Sequence, residues 1–335
     1  MTKGRAFSLL SGGLDSLLAS RLIMEQGIEV IALHFITPFF GYQKKGQEER
    51  YQERWKQLYG IQARIIDVSE GYFQVLRHPR HGYGKNFNPC IDCKIFFLAK
   101  ARAMMEEEKV DFLVTGEVLG QRPMSQRRDT MRIVERDSGT DGFLLRPLCA
   151  QLLKPTRPEV EGLVDREKLL AITGRSRKPQ MELAERMGIR HYPSPAGGCL
   201  LTDPELANRI RKFFSQSPIV TVNETLLLQV GRHFQLAEDQ HLVVGRRDEE
   251  NRKLTELSRE GDIFLKVHGI PGPLGLLRGR EDEMGLRLAA SIVARYSKAK
   301  EQARVEMEYE KHGENSGGHL NVVPAKDEQI LTLRF

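Results

Sequence analysis

Ala6-Phe7-Ser8-Leu9-Leu10-Ser11-Gly12-Gly13-Leu14-Asp15-Ser16-Leu17-Leu18-Ala19-Ser20 is the stretch on which the fold turns. Its first five residues read as a short strand, Ala6 to Leu10, and from Asp15 to Glu25 the apolar residues recur with helical spacing. Ser11 to Ser16 lie between the two, so their backbone N–H groups and the start of the helix can converge on an anion. Two adjacent glycines let the backbone approach a phosphate closely, and Ser16 adds a hydroxyl donor. The Gly-Lys-Ser/Thr of a Walker loop is absent. Alone, the hexapeptide would serve equally as a helix-capping turn; its strand-to-helix context favours the phosphate.

Working outward, Glu29–Phe35 reads as a strand, Gln47–Tyr59 as an exposed helix, Ile61–Val68 as a strand, Ile91–Glu107 as a helix and Val110–Thr115 as a buried strand. This alternation predicts an α/β domain with a parallel sheet and ligands at the strand carboxyl ends. Helical patterning returns over Arg157–Thr173 and Lys178–Met187, and Tyr192-Pro193-Ser194-Pro195-Ala196-Gly197-Gly198-Cys199 is a loop. Beyond Ser215-Gln216-Ser217-Pro218 come short strands, His241–Gly245 and Ile263–Val267, then an amphipathic helix expected from about Glu283 to Lys311. The expected division is 1–173, an extension 174–217 carrying the Cys199 loop, and a smaller α+β domain 218–335.

A chain of 335 residues suits about two domains, and 40% hydrophobic with 29% charged residues excludes wholesale disorder. No apolar run reaches the roughly 18–20 residues of a bilayer span, so no membrane is expected and the cytoplasm is the expected compartment. The charge of +6 and pI near 9.1 attract a polyanion only where basic residues cluster. They do so at Arg122, Arg127, Arg128, Arg132 and Arg136, opposed by Asp129 and Glu135; at Arg175, Arg177 and Lys178; and at Arg77, Arg80 and Lys85. Such runs are usually solvated faces; three flanking one site would form a phosphate track.

Four cysteines exclude a disulfide scaffold in so long a chain. Cys90-Ile91-Asp92-Cys93 can face one ligand from the start of a helix, and the distant Cys199 can join them from its Pro/Gly-bounded loop. A lone Cys-x-x-Cys is also a zinc half-site or a redox pair. Cys149, in an apolar setting, reads as a structural residue, or as the fourth ligand that would close a zinc site.

Four segments together carry a resemblance. They are the Ser11–Ser16 loop, Ala32-Leu33-His34-Phe35 before Thr37-Pro38-Phe39, Thr115-Gly116-Glu117-Val118-Leu119-Gly120-Gln121 with Ser125-Gln126, and Leu145-Arg146-Pro147-Leu148. From about Phe7 to Thr202 the chain resembles the PP-loop ATP pyrophosphatases, and among them the tRNA uridine thiolation enzymes, with the order and spacing of the 4-thiouridine synthetases. The resemblance implies a Rossmann-like fold of the adenine nucleotide alpha hydrolase type. It places ATP on Leu9, Leu10, Ser11, Gly12, Gly13, Asp15, Ser16, His34, Phe35, Gly116 and Gln126, although the spacing after Gln121 is one residue longer here. It gives Asp15 a Mg²⁺ ion, where a plain N-terminal helix acid is the alternative, and sets Lys94 against the α-phosphate. Cys93 and Cys199 become the catalytic pair, and Cys90, Cys93 and Cys199 the holders of a [4Fe-4S] cluster with one iron open to hydrosulfide; a persulfide on Cys199 is the other route.

The implied reaction adenylates a uridine carbonyl oxygen in tRNA, releasing pyrophosphate, and replaces that oxygen with sulfur, releasing AMP. The sulfur would come from sulfide or a cysteine desulfurase. The alternatives are sulfur transfer to a small molecule and a non-catalytic RNA-binding protein that uses ATP as a switch.

Gly245-Arg246-Arg247-Asp248-Glu249-Glu250-Asn251 and Asp262 through Pro271-Gly272 are similar to the RNA-binding module of the NFACT family, over about Phe234 to Glu328. Phe264 and His268 stand near the aromatic position of the second segment. The resemblance implies RNA contacts from Arg246 and Arg247 beside Arg122, Arg127, Arg128, Arg175, Arg177 and Lys178; an unrelated α+β cap is the alternative. The 4-thiouridine synthetases carry an N-terminal tRNA-binding extension, whereas this phosphate loop begins at Ser11, so the C-terminal module is expected to supply the grip.

Overall fold

The computed structural model describes residues 3–192, 199–217, 220–314 and 316–334. They divide into two compact units, Met1–Ala207 and Asn208–Phe335. Among the described residues no helix is long and apolar enough to cross a membrane.

The first unit contains β1 (Arg5–Leu9), α1 (Leu14–Met24), β2 (Glu29–Ile36), α2 (Glu48–Tyr59), β3 (Gln62–Asp67), α3 (Ser69–Arg77), α4 (Cys90–Glu107), β4 (Phe112–Thr115), α5 (Arg128–Ser138), β5 (Leu144–Leu145), α6 (Arg157–Val160) and α7 (Lys178–Arg186). All strand pairs are parallel in the order β3-β2-β1-β4-β5. Successive side chains of a strand face opposite ways. Accordingly Ala6, Val30, Phe112 and Val114 pack with Leu14, Leu18 and Leu183, while Phe7, Ile31, Leu33 and Leu113 pack with Leu98, Ala101 and Met105. The chain leaves β1 toward β2 on one side and returns to β4 on the other. That reversal opens a crevice at the carboxyl ends of β1 and β4, the place where open parallel sheets bind ligands.

Arg157–Thr173 is not the helix that its patterning predicts. A capping box of Thr156 and Glu159 starts the single turn α6, and Gly162, in the left-handed region at φ 75°, ends it. Asp165 then accepts from Glu167 N–H and caps a 3₁₀ turn, Arg166–Lys168.

The division between the units falls within α8 (Pro204–Gln216), ahead of the break expected after Ser217. The second unit contains α9 (Val222–Leu227), β6 (Arg232–Ala237), β7 (Gln240–Val244), α10 (Asp248–Leu257), β8 (Ile263–Val267), β9 (Gly275–Gly279), α11 (Glu283–Arg295), β10 (Val305–Lys311), β11 (Gly317–Val322) and α12 (Asp327–Leu333). Its sheet, ordered β11-β10-β8-β9-β7-β6, is antiparallel throughout. Ala289, Ala290, Ile292, Val293 and Ala294 of α11 bury against one face, and Leu254 of α10 packs with Val243 and Leu276 on the other.

The helix expected over Glu283–Lys311 stops at Arg295. From Val305 the apolar residues recur every second position, Val305-Glu306-Met307-Glu308-Tyr309, which is strand periodicity. Met307 is buried in the core and Glu306 is exposed.

Candidate nucleotide and thiol site

The phosphate loop connects β1 to α1 and is held open by its own serines. Gly12 turns at φ 79°, which a glycine adopts without strain. Ser16 Oγ donates to Gly13 O at 2.9 Å and accepts from Ser11 N–H at 3.3 Å, and Ser11 Oγ accepts from Gly13 N–H at 3.3 Å. Gly116, just past β4, lies so close that a Cβ there would collide with the backbone of Asp15 and Ser16. The loops after β1 and β4 are therefore locked together, and glycine at 116 makes the approach possible.

A cavity of about 210 Å³ occupies the crevice, lined by Leu9, Ser11, Asp15, Ser16, Lys94, Phe97, Leu98, Thr115, Gly116, Glu117, Arg122 and Gln126. Asp15 Oδ2 accepts from Gln121 Nε2 at 2.8 Å, and Arg177 stands 3.6 Å from Asp15 Oδ1. Asp15 Oδ1 and Gln126 Oε1 are buried oxygens in this wall with no hydrogen-bond donor among the described residues. Buried polar atoms are almost always satisfied, so this wall asks for a donor or a cation from a ligand.

Of the residues expected at ATP, Leu9, Ser11, Asp15, Ser16, Gly116 and Gln126 line the cavity, with Gly12 and Gly13 in the loop beside it. Leu10 packs with Leu17, Ala32 and Trp55, and Phe35 stacks on Phe97 with ring centroids 5.4 Å apart. His34 is buried close behind Gly12, its Nδ1 hydrogen-bonded to the Tyr51 hydroxyl at 2.9 Å. Burial, aided by the charge of Lys44, lowers its pKa to about 3, so the imidazole is neutral.

Lys94 reaches the same cavity from α4. Its ammonium pairs with Glu117, whose other oxygen accepts from Arg146 Nε at 2.8 Å; Arg146 also pairs with Glu135. Burial alone would raise the Glu117 pKa, but the charges and hydrogen bonds of Lys94 and Arg146 outweigh it and bring it down to about 2. Glu117 and Arg146 belong to motif segments that gave them no separate role. Their signal in the sequence is a charge inside an apolar run, as in Leu144-Leu145-Arg146-Pro147-Leu148, because a buried charge needs a partner.

One residue before Lys94 the thiols begin. Cys90 and Cys93 occupy the first turn of α4, and Cys199 precedes the 3₁₀ turn Leu200–Thr202; Pro193–Gly198 of the expected loop lie outside the described residues. Two bonds hold these segments together: Phe87 N–H donates to Leu201 O at 3.3 Å, and Asn86 Nδ2 to Thr202 O at 2.6 Å. Asn88 Nδ2 points at Cys90 Sγ, 3.1 Å away. Burial pushes the Cys93 thiol up to about 12, with Cys199 and Cys90 adding to the rise and the Tyr72 hydroxyl opposing it. Burial likewise raises Cys199 to about 11. Tyr72, fully buried in α3, is a member of this site that no sequence signal marked.

The three sulfurs do not all lie within 4.8 Å of one another. One zinc ion, at about 2.3 Å from each sulfur, would draw them closer than that. Cys149 is buried elsewhere, donating to Glu117 O at 3.3 Å, and burial raises it to about 11.

Among the basic residues, Arg122, Arg127, Arg128, Arg175 and Lys178 are exposed. Gly174 N–H and Thr173 Oγ1 both donate to Leu119 O at 2.9 Å, and Gln180 Nε2 donates to Gln121 Oε1 at 3.2 Å. These bonds bring the Arg122 and Arg175 groups side by side. Arg177 turns instead toward Asp15. Asp92 accepts from the backbone N–H groups of Arg80 and His81, which fastens the third basic group to the start of α4. In the second unit Arg246 and Arg247 are exposed at the start of α10.

Fold and site together define a parallel α/β unit whose β1–α1 loop borders a crevice cavity, with a set of thiols at the start of α4, followed by an antiparallel α+β unit. Residues 1–152 match the family model described as thiamine biosynthesis protein (ThiI), and residues 231–334 the one described as NFACT protein RNA binding domain. A probable tRNA sulfurtransferase of Thermococcus kodakarensis is 32% identical over 151 residues, covering 44% of this chain and 37% of the relative. One from Geobacillus kaustophilus is 30% identical over 151 residues, covering 44% and 36%. The chain thus spans little more than a third of the length of the curated relatives it matches. Among solved structures, the U34-tRNA thiolase NcsA of Methanococcus maripaludis with its [4Fe-4S] cluster is 20% identical at a TM-score of 0.34, covering 65% of this chain and 69% of that one.

Proposed function

We propose that this protein is an ATP-dependent tRNA sulfurtransferase: it adenylates a uridine carbonyl oxygen with release of pyrophosphate, then exchanges that oxygen for sulfur with release of AMP. The observation that carries the reading is the first turn of α4. It sets Cys90 and Cys93 next to Lys94, whose ammonium lines the cavity shared with the phosphate loop. Activation and sulfur delivery are then one residue apart.

ATP fits the cavity by its phosphates. The loop N–H groups and the α1 N-terminus receive the pyrophosphate portion, and the Lys94 charge stabilises the α-phosphate as the uridine oxygen attacks. Glu117, held by Arg146, orients Lys94. Asp15 Oδ1 suits a magnesium ion beside the pyrophosphate once Arg177 moves off it. Activation is needed because a carbonyl oxygen leaves poorly and AMP leaves well.

Three free, half-buried cysteines, two at the start of α4 and one on a segment hydrogen-bonded beside it, would hold a [4Fe-4S] cluster through Cys90, Cys93 and Cys199. Bound there, it would offer one open iron to hydrosulfide. Sulfide or a desulfurase supplies the sulfur, and the work is done in the cytoplasm. Exposed Arg122, Arg127, Arg128, Arg175 and Lys178 grip tRNA phosphates, helped by Arg246 and Arg247 of the second unit. Residues 1–173 bind ATP, 174–217 carry the Cys199 loop and 218–335 hold RNA.

The test is anaerobic incubation of the full chain with ATP, sulfide and bulk tRNA. AMP, pyrophosphate and thiolated nucleoside should appear together. ADP and phosphate, or AMP without thiolated nucleoside, would overturn the proposal. The protein should be brown with about four irons. Cys90→Ala, Cys93→Ala and Cys199→Ala should each lose colour and thiolation, and Cys149→Ala should keep both. Metal-free protein that is inactive with sulfide but active with a cysteine desulfurase and cysteine would instead support a persulfide on Cys199, whose outer sulfur attacks the adenylated carbon with loss of AMP while Cys93 closes a Cys93–Cys199 disulfide that an added thiol reductant must reopen.

A further inference from the structure

Over β8, β10 and β11 the antiparallel sheet of the second unit turns one face to α11; on the opposite face, which α10 covers only over β7 and β9, Lys266, His268, Glu306 and His319 are exposed. On β8, β10 and β11 the buried partners are Leu265, Val267, Val305, Met307, Leu320 and Val322. The alternate residues must then point outward, and they form a cross-strand array. Register sets Glu308 of β10 opposite His319 of β11 and opposite Lys266 of β8. One step further His268 N–H donates to Glu306 O at 3.0 Å, which puts His268 beside Glu306.

Two imidazoles and a carboxylate from three adjacent strands therefore meet above the sheet. The ligating atoms of His268, Glu306 and His319 all lie within 4.8 Å of one another, with His319 Nδ1 already 3.2 Å from Glu306 Oε1. All three side chains are about half exposed, so small rotations bring their donors to the roughly 2.0–2.2 Å that zinc requires. Glu308 stands 3.7 Å from His268 Nδ1 but is engaged by Lys266 at 3.1 Å, which leaves the fourth position to water or substrate.

We propose that His268, Glu306 and His319 form a binding site for a borderline divalent transition ion, zinc in particular, on the open face of this sheet. Imidazole with carboxylate is the donor set such ions prefer, whereas an all-oxygen cage would suit calcium or magnesium. β11 is the edge strand of the sheet, so a bound ion ties the edge to β10 and β8. The site shares no residue with the thiols and does not depend on the thiolation proposal.

Equilibrium dialysis of the full chain against zinc, with His268→Ala/His319→Ala alongside, tests this. The wild type should retain one more zinc per chain than the double variant. Zinc should shift the His268 and His319 ring signals in NMR spectra and slow amide exchange in β11. Glu306→Gln should weaken this zinc at least about tenfold, the smaller loss seen when even an outer-shell partner is removed. Equal zinc content in wild type and double variant, or histidine ring signals that do not move, would overturn the proposal. The three residues are exposed, so the variants leave the core intact.

Discussion

Each unit carries motif residues with polar side chains, and the two units use them in opposite ways. In the second, every polar atom of the motif acid and amide is spent internally. Asp262 receives Arg278 at 2.7 and 2.9 Å and Arg259 N–H at 2.9 Å; Asn251 accepts from Leu274 N–H at 3.1 Å and donates to Gly272 O at 3.2 Å. Gly245 leaves the room that Asn251 fills. In the first unit Asp15 has one oxygen bonded to Gln121 and the other buried without a donor. A motif residue whose hydrogen bonds are all internal builds the fold, whereas Asp15 Oδ1, facing only the Arg177 guanidinium at 3.6 Å, keeps hydrogen-bonding capacity for a ligand. By this measure the second unit's motif is architectural, and the proposed contact with RNA falls to exposed neighbours such as Arg246 and Arg247.

The strongest way to break this contrast is Asp15→Ala. AMP formation should fall by at least about 10²-fold, while the urea unfolding free energy changes by less than about 1 kcal/mol. Substantial destabilisation with AMP formation retained would make Asp15 architectural too. Arg278→Ala should reverse the pattern: it strands Asp262 in the core and costs about 3–5 kcal/mol, read from urea unfolding and from amide exchange in β8 and β9.

A pH experiment sharpens the first unit's side. Glu117 has its pKa lowered from 4.5 to about 2, so its ionised form stabilises the fold. That contribution is complete above pH 4.5 and drains away as pH falls toward 2. Glu117→Gln should be less stable than wild type at neutral pH, and the gap should close over that window in thermal unfolding. A gap independent of pH would mean that packing, rather than charge, is what Glu117 supplies. The smallest effects separate neighbours within one motif. Asn251→Ala should cost about 1–3 kcal/mol of stability. Arg246→Ala or Arg247→Ala should cost less than about 0.5 kcal/mol, yet each should lower the salt slope of tRNA binding by about one.

Periodicity made the first unit legible. Strand and helix alternate cleanly from Ala6 to Thr115, and the loop between the first strand and helix lies where the crevice opens. The same reasoning failed where a period changed within a charged stretch. Glu306 and Glu310, four residues apart, fit one exposed helix face as readily as an outward strand face, and the alternating burial of Val305 and Met307 decides for the strand. At Arg157–Thr173 the break came from Gly162 and from a cap at Asp165, local bonds that outweigh helical spacing.

Chemistry divides in the same way. Residue type and order singled out Ser11–Ser16 and the cysteines as candidates, and the family resemblance added Lys94; a capping turn and a zinc or redox pair stayed open as alternatives. Only tertiary structure decided that Glu117 and Arg146 hold Lys94, that Arg177 faces Asp15, that Cys149 stands apart, and that His268 and His319 meet across β10. Spacing along one element is written in the chain, whereas a charge's partner is set by which strands become neighbours and in what register.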